Sequence, residues 1–65
     1  MDLKRWQKEN RWQTQEMAKE IGVTTETLSR IRNKKHTPHF LTAKAIFEFT
    51  KGAVTFKDLD VKEKP

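Results

Sequence analysis

The stretch Thr14-Gln15-Glu16-Met17-Ala18-Lys19-Glu20-Ile21-Gly22-Val23-Thr24-Thr25-Glu26-Thr27-Leu28-Ser29-Arg30-Ile31-Arg32-Asn33 decides how this chain folds. Met17, Ala18 and Ile21 repeat at i, i+1 and i+4, the spacing of one apolar stripe on a helix that starts near Thr14, capped by Gln13 or Thr14. Gly22 then ends that helix, because glycine alone turns through positive φ without a Cβ penalty. Thr24 is a good N-cap for a second helix, and Glu26 in its first turn suits the positive end of the helix dipole. Leu28 and Ile31 point inward, whereas Thr25, Glu26, Ser29, Arg30 and Asn33 point outward. Ala18 is small where the two helices must cross. Met17, Ile21, Val23, Leu28 and Ile31 supply the apolar contacts that set the crossing. The expected result is two short helices joined by a tight turn, the second with a short-armed, hydrogen-bonding outer face.

Outward from this segment the helical period persists. A first helix is expected from Asp2 to Asn10, with Asp2 in its first turn and Leu3 and Trp6 on its inner face. Trp12 follows in the connection and covers the core. Thr37 as cap and Pro38 at the first helical position open a fourth helix that runs to about Lys51, where Gly52 stops it. Phe40, Thr42, Ala43, Ile46, Phe47 and Phe49 spread over half of that cylinder, and Leu41 falls outside it. So wide an apolar arc on a tiny domain points to a partner surface. Val54 packs, and Thr55 caps one last turn over Phe56 to Leu59. Alternation suggestive of a strand appears only briefly, at Ala53 to Phe56. The expected fold is all-α: a compact bundle of four helices plus a short C-terminal fifth turn, one domain over residues 1–60, with 61–65 a disordered tail.

Sixty-five residues bound what such a fold can do. A chain this short buries only about 60% of the surface its unfolded form exposes, which leaves little apolar material to shape a substrate cleft. It contains no cysteine, so disulfides, thiolate metal sites and thiol chemistry are excluded together. No apolar run approaches the roughly 18 residues of a membrane span. The charged start (Asp2, Lys4, Arg5) lacks a signal core, which points to the cytoplasm. Lys and Arg total 14 against 9 Asp and Glu, for a net charge of +5. The position of that excess matters more than its size. Between Glu26 and Glu48 there is no acidic residue, and the stretch carries Arg30, Arg32, Lys34, Lys35 and Lys44, with His36 and His39. A local basic field of this kind suits a polyanion, nucleic acid first; a solvated charged face is the alternative.

Two helices joined at Gly22, with seven agreeing positions in twenty residues, form a helix-turn-helix. On those residues the chain resembles the Cro and phage-repressor family, the XRE-like helix-turn-helix domains. The resemblance runs over roughly residues 3–59. It includes Leu3, Trp6, Trp12, Thr37-Pro38, Thr50-Lys51-Gly52, Val54 and Leu59. It implies a lambda-repressor-like DNA-binding domain of five short helices, double-stranded DNA as partner, and a homodimer. Many members tie helix 1 to the recognition helix with an Arg–Glu pair. Here the matching positions are Gln7 and Arg32, so that pair is absent, Arg32 is released for a phosphate, and the tie falls to Trp6 and Leu28.

Carried onto this sequence, the family pattern sets Thr24, Thr25, Glu26, Ser29, Arg30 and Asn33 against base edges or the nearest backbone in the major groove. Arg30 suits bidentate contact to guanine, and Thr25 a thymine methyl or a hydrogen bond. Glu26 either accepts from cytosine N4 or serves the helix terminus and repels wrong sites. Gln15, at a helix N-terminus, is a phosphate contact. Arg32, Lys34, Lys35, His36 and His39 should track the backbone, positioning without reading sequence.

Other readings of the same residues weigh less. Trp6 and Trp12 are at apolar helical positions, which favours core packing over base stacking. His36 and His39 are three apart, but no Cys or carboxylate lies between Glu26 and Glu48, which favours solvent or phosphate over a metal. Asp58 and Asp60 face no base that would make an enzyme. No cofactor, metal, catalytic residue, small-molecule ligand or membrane contact is expected. The expected action is repression of the Cro kind from a near-palindromic operator, the dimer forming through the C-terminal region at Phe47, Val54, Phe56 and Leu59. The alternative is an antitoxin or adaptor-type interaction module on the same fold.

Overall fold

The computed structural model describes residues 1–61 of the chain. Helix α1 spans Leu3–Glu9, α2 Thr14–Ile21, α3 Thr25–Arg32 and α4 Phe40–Phe49, and a 3-10 turn, η1, spans Lys57–Leu59. Among the described residues there is no strand, including at Ala53 to Phe56.

Each boundary has a local cause. Asp2 caps α1 by accepting from the Arg5 N–H at 3.4 Å. Gly22 closes α2 in the left-handed region at φ 96°, where its N–H and that of Val23 both donate to the Ala18 carbonyl. Thr24 caps α3, its hydroxyl accepting from the Thr27 N–H at 3.1 Å. The exits from α1, α3 and α4 carry Arg11, Lys34 and Lys51 in the same left-handed region. A cation there suits the negative end of a helix dipole, which offsets part of the steric cost.

The start of α4 differs from the sequence expectation. Thr37 does not cap it and Pro38 is not its first residue; His39 is the N-cap, without a side-chain hydrogen bond, and the helix begins at Phe40. Pro38 is buried in the lead-in segment. A fixed φ suits an extended lead-in as well as a first helical turn, so the ring packs ahead of the helix instead of inside it.

The core is Leu3, Met17, Ala18, Leu28, Ile31, Ala43, Ile46, Val54 and Leu59, with Trp6, Trp12, Ile21, Val23, Phe49 and Val61 packed around it. Helix α2 is central and packs on both α3 and α4. Trp6 and Trp12 both meet Phe49 edge-on, with ring centroids 5.6 and 4.9 Å apart. Their geometry is that of core packing, and it ties α1 to α4 through Trp6. Val61, read from sequence as the start of the tail, packs on this core and donates to the Phe56 carbonyl at 2.9 Å. The remainder of that tail, 62–65, lies outside the described residues.

Thr55 and Asp58 cap the last turn reciprocally. The Thr55 hydroxyl accepts from the Asp58 N–H at 3.2 Å, and the Asp58 carboxylate accepts from the Thr55 N–H and hydroxyl, both at 2.9 Å. The Met1 ammonium donates to the same carboxylate at 2.8 Å and to the Ala53 carbonyl at 2.7 Å. Chiefly through the ammonium, then the Thr55 amide, the Asp58 carboxyl is held down at about 2. A depressed carboxyl stabilises the fold above its ordinary value of 3.8 and loses that contribution as pH falls toward 2. Urea melts of the protein are therefore expected to weaken between about pH 4 and pH 2. Asp58→Asn should be less stable at pH 6 and show a flatter decline across that window.

Candidate nucleic-acid interface

Helix α3 is anchored from behind and open in front. Leu28 is completely buried and Ile31 nearly so, which fixes the rotation of the helix about its axis. At about 100° per residue, Thr25, Ser29, Asn33, Glu26 and Arg30 then fan across the opposite side. Thr25, Glu26, Arg30 and Asn33 are exposed there, with Thr24 at the cap, and Ser29 is half-buried. The structure thus brings the six residues read as base-facing onto one outer surface, that of α3 and its two ends.

Their polar groups are not equally free. Glu26 and Arg30 form an i, i+4 ion pair on the outer face, both side chains well exposed. The Thr24 hydroxyl accepts from Thr27 N–H and donates to the Thr27 hydroxyl at 2.8 Å. Asn33 donates its side-chain amide to the Ser29 carbonyl at 2.9 Å, closing the helix. Thr24 and Asn33 therefore brace the two ends, and Arg30 is the longest arm on the face between them.

The residues read as phosphate contacts separate into two groups. Gln15 is exposed in the first turn of α2, whose N-cap residue Gln13 makes no side-chain cap. Amides at that end are left for an outside acceptor. Lys35 and His39 are exposed after α3. Lys34 instead reaches toward Asp2 of the α1 cap, at 3.8 Å, and His36 lines the same cleft as Asp2, Asp58 and Asp60. Lys34 is thus drawn toward the start of α1, away from the outer face of α3.

Arg32 forms no ion pair among the described residues, in keeping with the missing Arg–Glu pair, but it does not stand fully in solvent. It is half-buried, and its Nε is enclosed with no hydrogen-bond partner among the described residues. Gln7, named from the sequence only as one position of the absent Arg–Glu pair and given no role, is 5% exposed. Its amide donates to the Trp12 carbonyl at 3.0 Å and the Thr14 hydroxyl at 2.8 Å, tying α1 to the start of α2, while its Oε1 is unpaired. The signal was available: Leu3, Trp6 and Gln7 stand at i, i+3 and i+4, so Gln7 shares the inner face. The Glu26–Arg30 pair was likewise legible as an i, i+4 spacing.

Two of the four residues read as a dimer surface are elsewhere. Val54 is completely buried and Leu59 is 6% exposed, so both belong to the core and neither can meet a second chain. Each caps the bundle from the C-terminal segment, where the apolar demand of so small a core takes them inside. Phe47 and Phe56 remain at or near the surface.

The helix-turn-helix family model matches residues 3–55, and the chain belongs to that family, of the XRE and Cro-like kind. It is a DNA-binding helix-turn-helix regulator. No curated protein and no solved structure matches it. Among the described residues no helix is long and apolar enough to cross a membrane, and no three His, Cys, Asp or Glu are grouped to hold a metal ion.

Proposed function

We propose that the protein is a sequence-specific repressor that binds a near-palindromic double-stranded operator as a homodimer, with α3 in the major groove. The observation that carries this reading is the outer face of α3: short polar side chains and one arginine, exposed on a helix held rigidly from behind by Leu28 and Ile31. A B-DNA major groove is wide enough for one such helix. Arg30 reads guanine, with Glu26 holding the guanidinium until a base edge replaces it. Thr25 and Ser29 meet neighbouring bases, and Thr24 and Asn33 contribute by fixing the helix ends. Gln15, Lys35 and His39 contact phosphates. Arg32, Lys34 and His36 reach phosphates only from the edge of the surface. One recognition helix covers too few base pairs for useful selectivity, so two copies act together, their α3 helices about 34 Å apart. Occlusion of a promoter by the bound protein is the action this reading implies.

Selection of bound sites from random duplex DNA tests this directly. A consensus with two-fold symmetry is expected, with half-sites about one helical turn apart. Log K should fall with log salt at about −0.9 per phosphate neutralised, and Lys35→Ala should weaken all duplexes alike and reduce that slope by about one contact per copy. Equal affinity for selected and random duplex at physiological salt would overturn the reading. An antitoxin or adaptor module is the second reading, favoured by the apolar groove on α4; it predicts no selected consensus.

A further inference from the structure

Glu26 stands on the outer face of α3, one turn before Arg30, with its side chain well exposed. It is the second residue of the helix, where a carboxylate is within reach of free backbone amides. It does not bond to them. The Thr24 hydroxyl takes the Thr27 N–H, and the Glu26 carboxylate accepts from the Arg30 guanidinium and from no other donor among the described residues. The capping of α3 thus falls to Thr24, and the carboxylate is held out on the surface. Its bond to Arg30 joins one carboxylate oxygen, Oε1, to one guanidinium nitrogen, Nη2.

We infer that Glu26 is a specificity-determining residue that reads a cytosine at the base pair adjoining the guanine of Arg30. The inference rests on the operator reading of the proposed function and deepens it by one base. The donors on offer decide which base. In the groove Arg30 turns its N–H groups to guanine O6 and N7, both acceptors. Glu26 then stays behind as an acceptor-only group that has given up its donor, and a charge left so at a closed interface is costly. Base edges in the major groove offer it two donors, the N4 amine of cytosine and the N6 amine of adenine. Guanine and thymine present O6 and O4 instead, which repel a carboxylate. Adenine sets the acceptor N7 beside its amine, whereas cytosine presents the amine alone, so cytosine suits the two carboxylate oxygens better. Spacing puts this base next to the guanine. Glu26 and Arg30 are four residues, about 6 Å, apart along the helix axis, and base pairs rise by about 3.4 Å. Side chains that meet each other across that interval reach adjoining pairs, not the same one. Thr25 and Ser29 carry hydroxyls that both donate and accept, so neither excludes a base in this way.

The test is competition binding of the full chain to duplexes that share the selected operator. They differ only at a pair flanking the guanine whose preference Arg30→Ala abolishes; all four pairs are tried at each flank in turn, in both half-sites. At one flank, cytosine on one strand should bind about tenfold or more tighter than guanine or thymine there. Glu26→Gln should lose that preference and bring adenine level with cytosine or above it, because the glutamine amide donates as well as accepts. Glu26→Ala should bind all four duplexes within about threefold of one another. Ratios taken at one salt concentration cancel the uniform gain that removal of a negative charge brings. Position 26 is exposed, and circular dichroism should show the same helix in all three proteins. A Glu26 that acted only as a surface charge or at the helix terminus would shift all four duplexes together and keep their order, which overturns the inference. A parent protein with no preference for cytosine at either flank also overturns it. A consensus in which Arg30 still selects guanine would then keep the operator reading without Glu26, whereas no consensus at all sinks both.

Discussion

Arg30→Ala is expected to lower affinity for the selected operator by about 30-fold or more while leaving affinity for random duplex within a few-fold, because a bidentate arginine–guanine contact contributes about 1–3 kcal/mol of discrimination at each of the two half-sites. The fold should be untouched. Arg30 is exposed, and its one partner, Glu26, is exposed as well, so the pair lends little stability. The pair matters for a different reason. In the free protein it holds a long, flexible side chain over the outer face of α3, and it sets a carboxylate where a polyanion must approach. Glu26→Gln should therefore act in the opposite sense to Arg30→Ala, raising affinity for all duplexes, most at low salt, and reducing the ratio between operator and random DNA. Competition titrations with both duplexes at two salt concentrations read all of these changes. If Arg30→Ala lost operator and random DNA equally, Arg30 would be a phosphate contact and the reader would have to be Thr25 and Ser29.

The largest effect on stability is expected at Leu28. It is completely buried between the two helices of the motif, and Leu→Ala at such a site costs about 2–5 kcal/mol, transfer and cavity together. A domain this small has a total margin of that order. For a domain of this size each kcal/mol moves Tm by about 4–8 °C, so Leu28→Ala should lower Tm by some 10–30 °C or leave the chain largely unfolded at 37 °C. Leu41→Ala, at a leucine 77% exposed, has little to lose and should move Tm by only a degree or two. Thermal melts by circular dichroism at low micromolar concentration compare them. Leu28→Ala should also lose duplex binding in proportion to the unfolded fraction, since the same side chain that stabilises the core fixes which flank of α3 faces outward. A Leu28→Ala protein as stable as the parent would mean that α3 is not seated on its Leu28 and Ile31 face.

Much of this was legible before any coordinates, and the legible part has one character. Gly22 as a left-handed stop, Thr24 as a cap, and Met17, Ala18, Leu28 and Ile31 as the inward stripe all follow from helical geometry acting over a few neighbours. The outer face of α3 comes with them, because once two residues of a helix are inside, the opposite side is determined. The start of α4 was less secure: Thr37-Pro38 satisfies the local preference for a helix opening, but burial of Pro38 outweighed it, and His39 became the cap with no side-chain bond of its own.

Local chemistry alone determined the class of fold, the helix-turn-helix and the side of α3 that is free, since caps, glycine turns and apolar period are properties of adjacent residues. Only the tertiary structure decided which polar groups are inside and which apolar ones are outside. Gln7 is buried because it ties two chain segments, Lys34 turns to Asp2 because the end of α3 comes to rest beside the start of α1, and Val54 and Leu59 fill the core while Phe47 does not. Each of these depends on residues far apart in the chain arriving at one place, and nothing in a residue's own neighbourhood specifies who will arrive there.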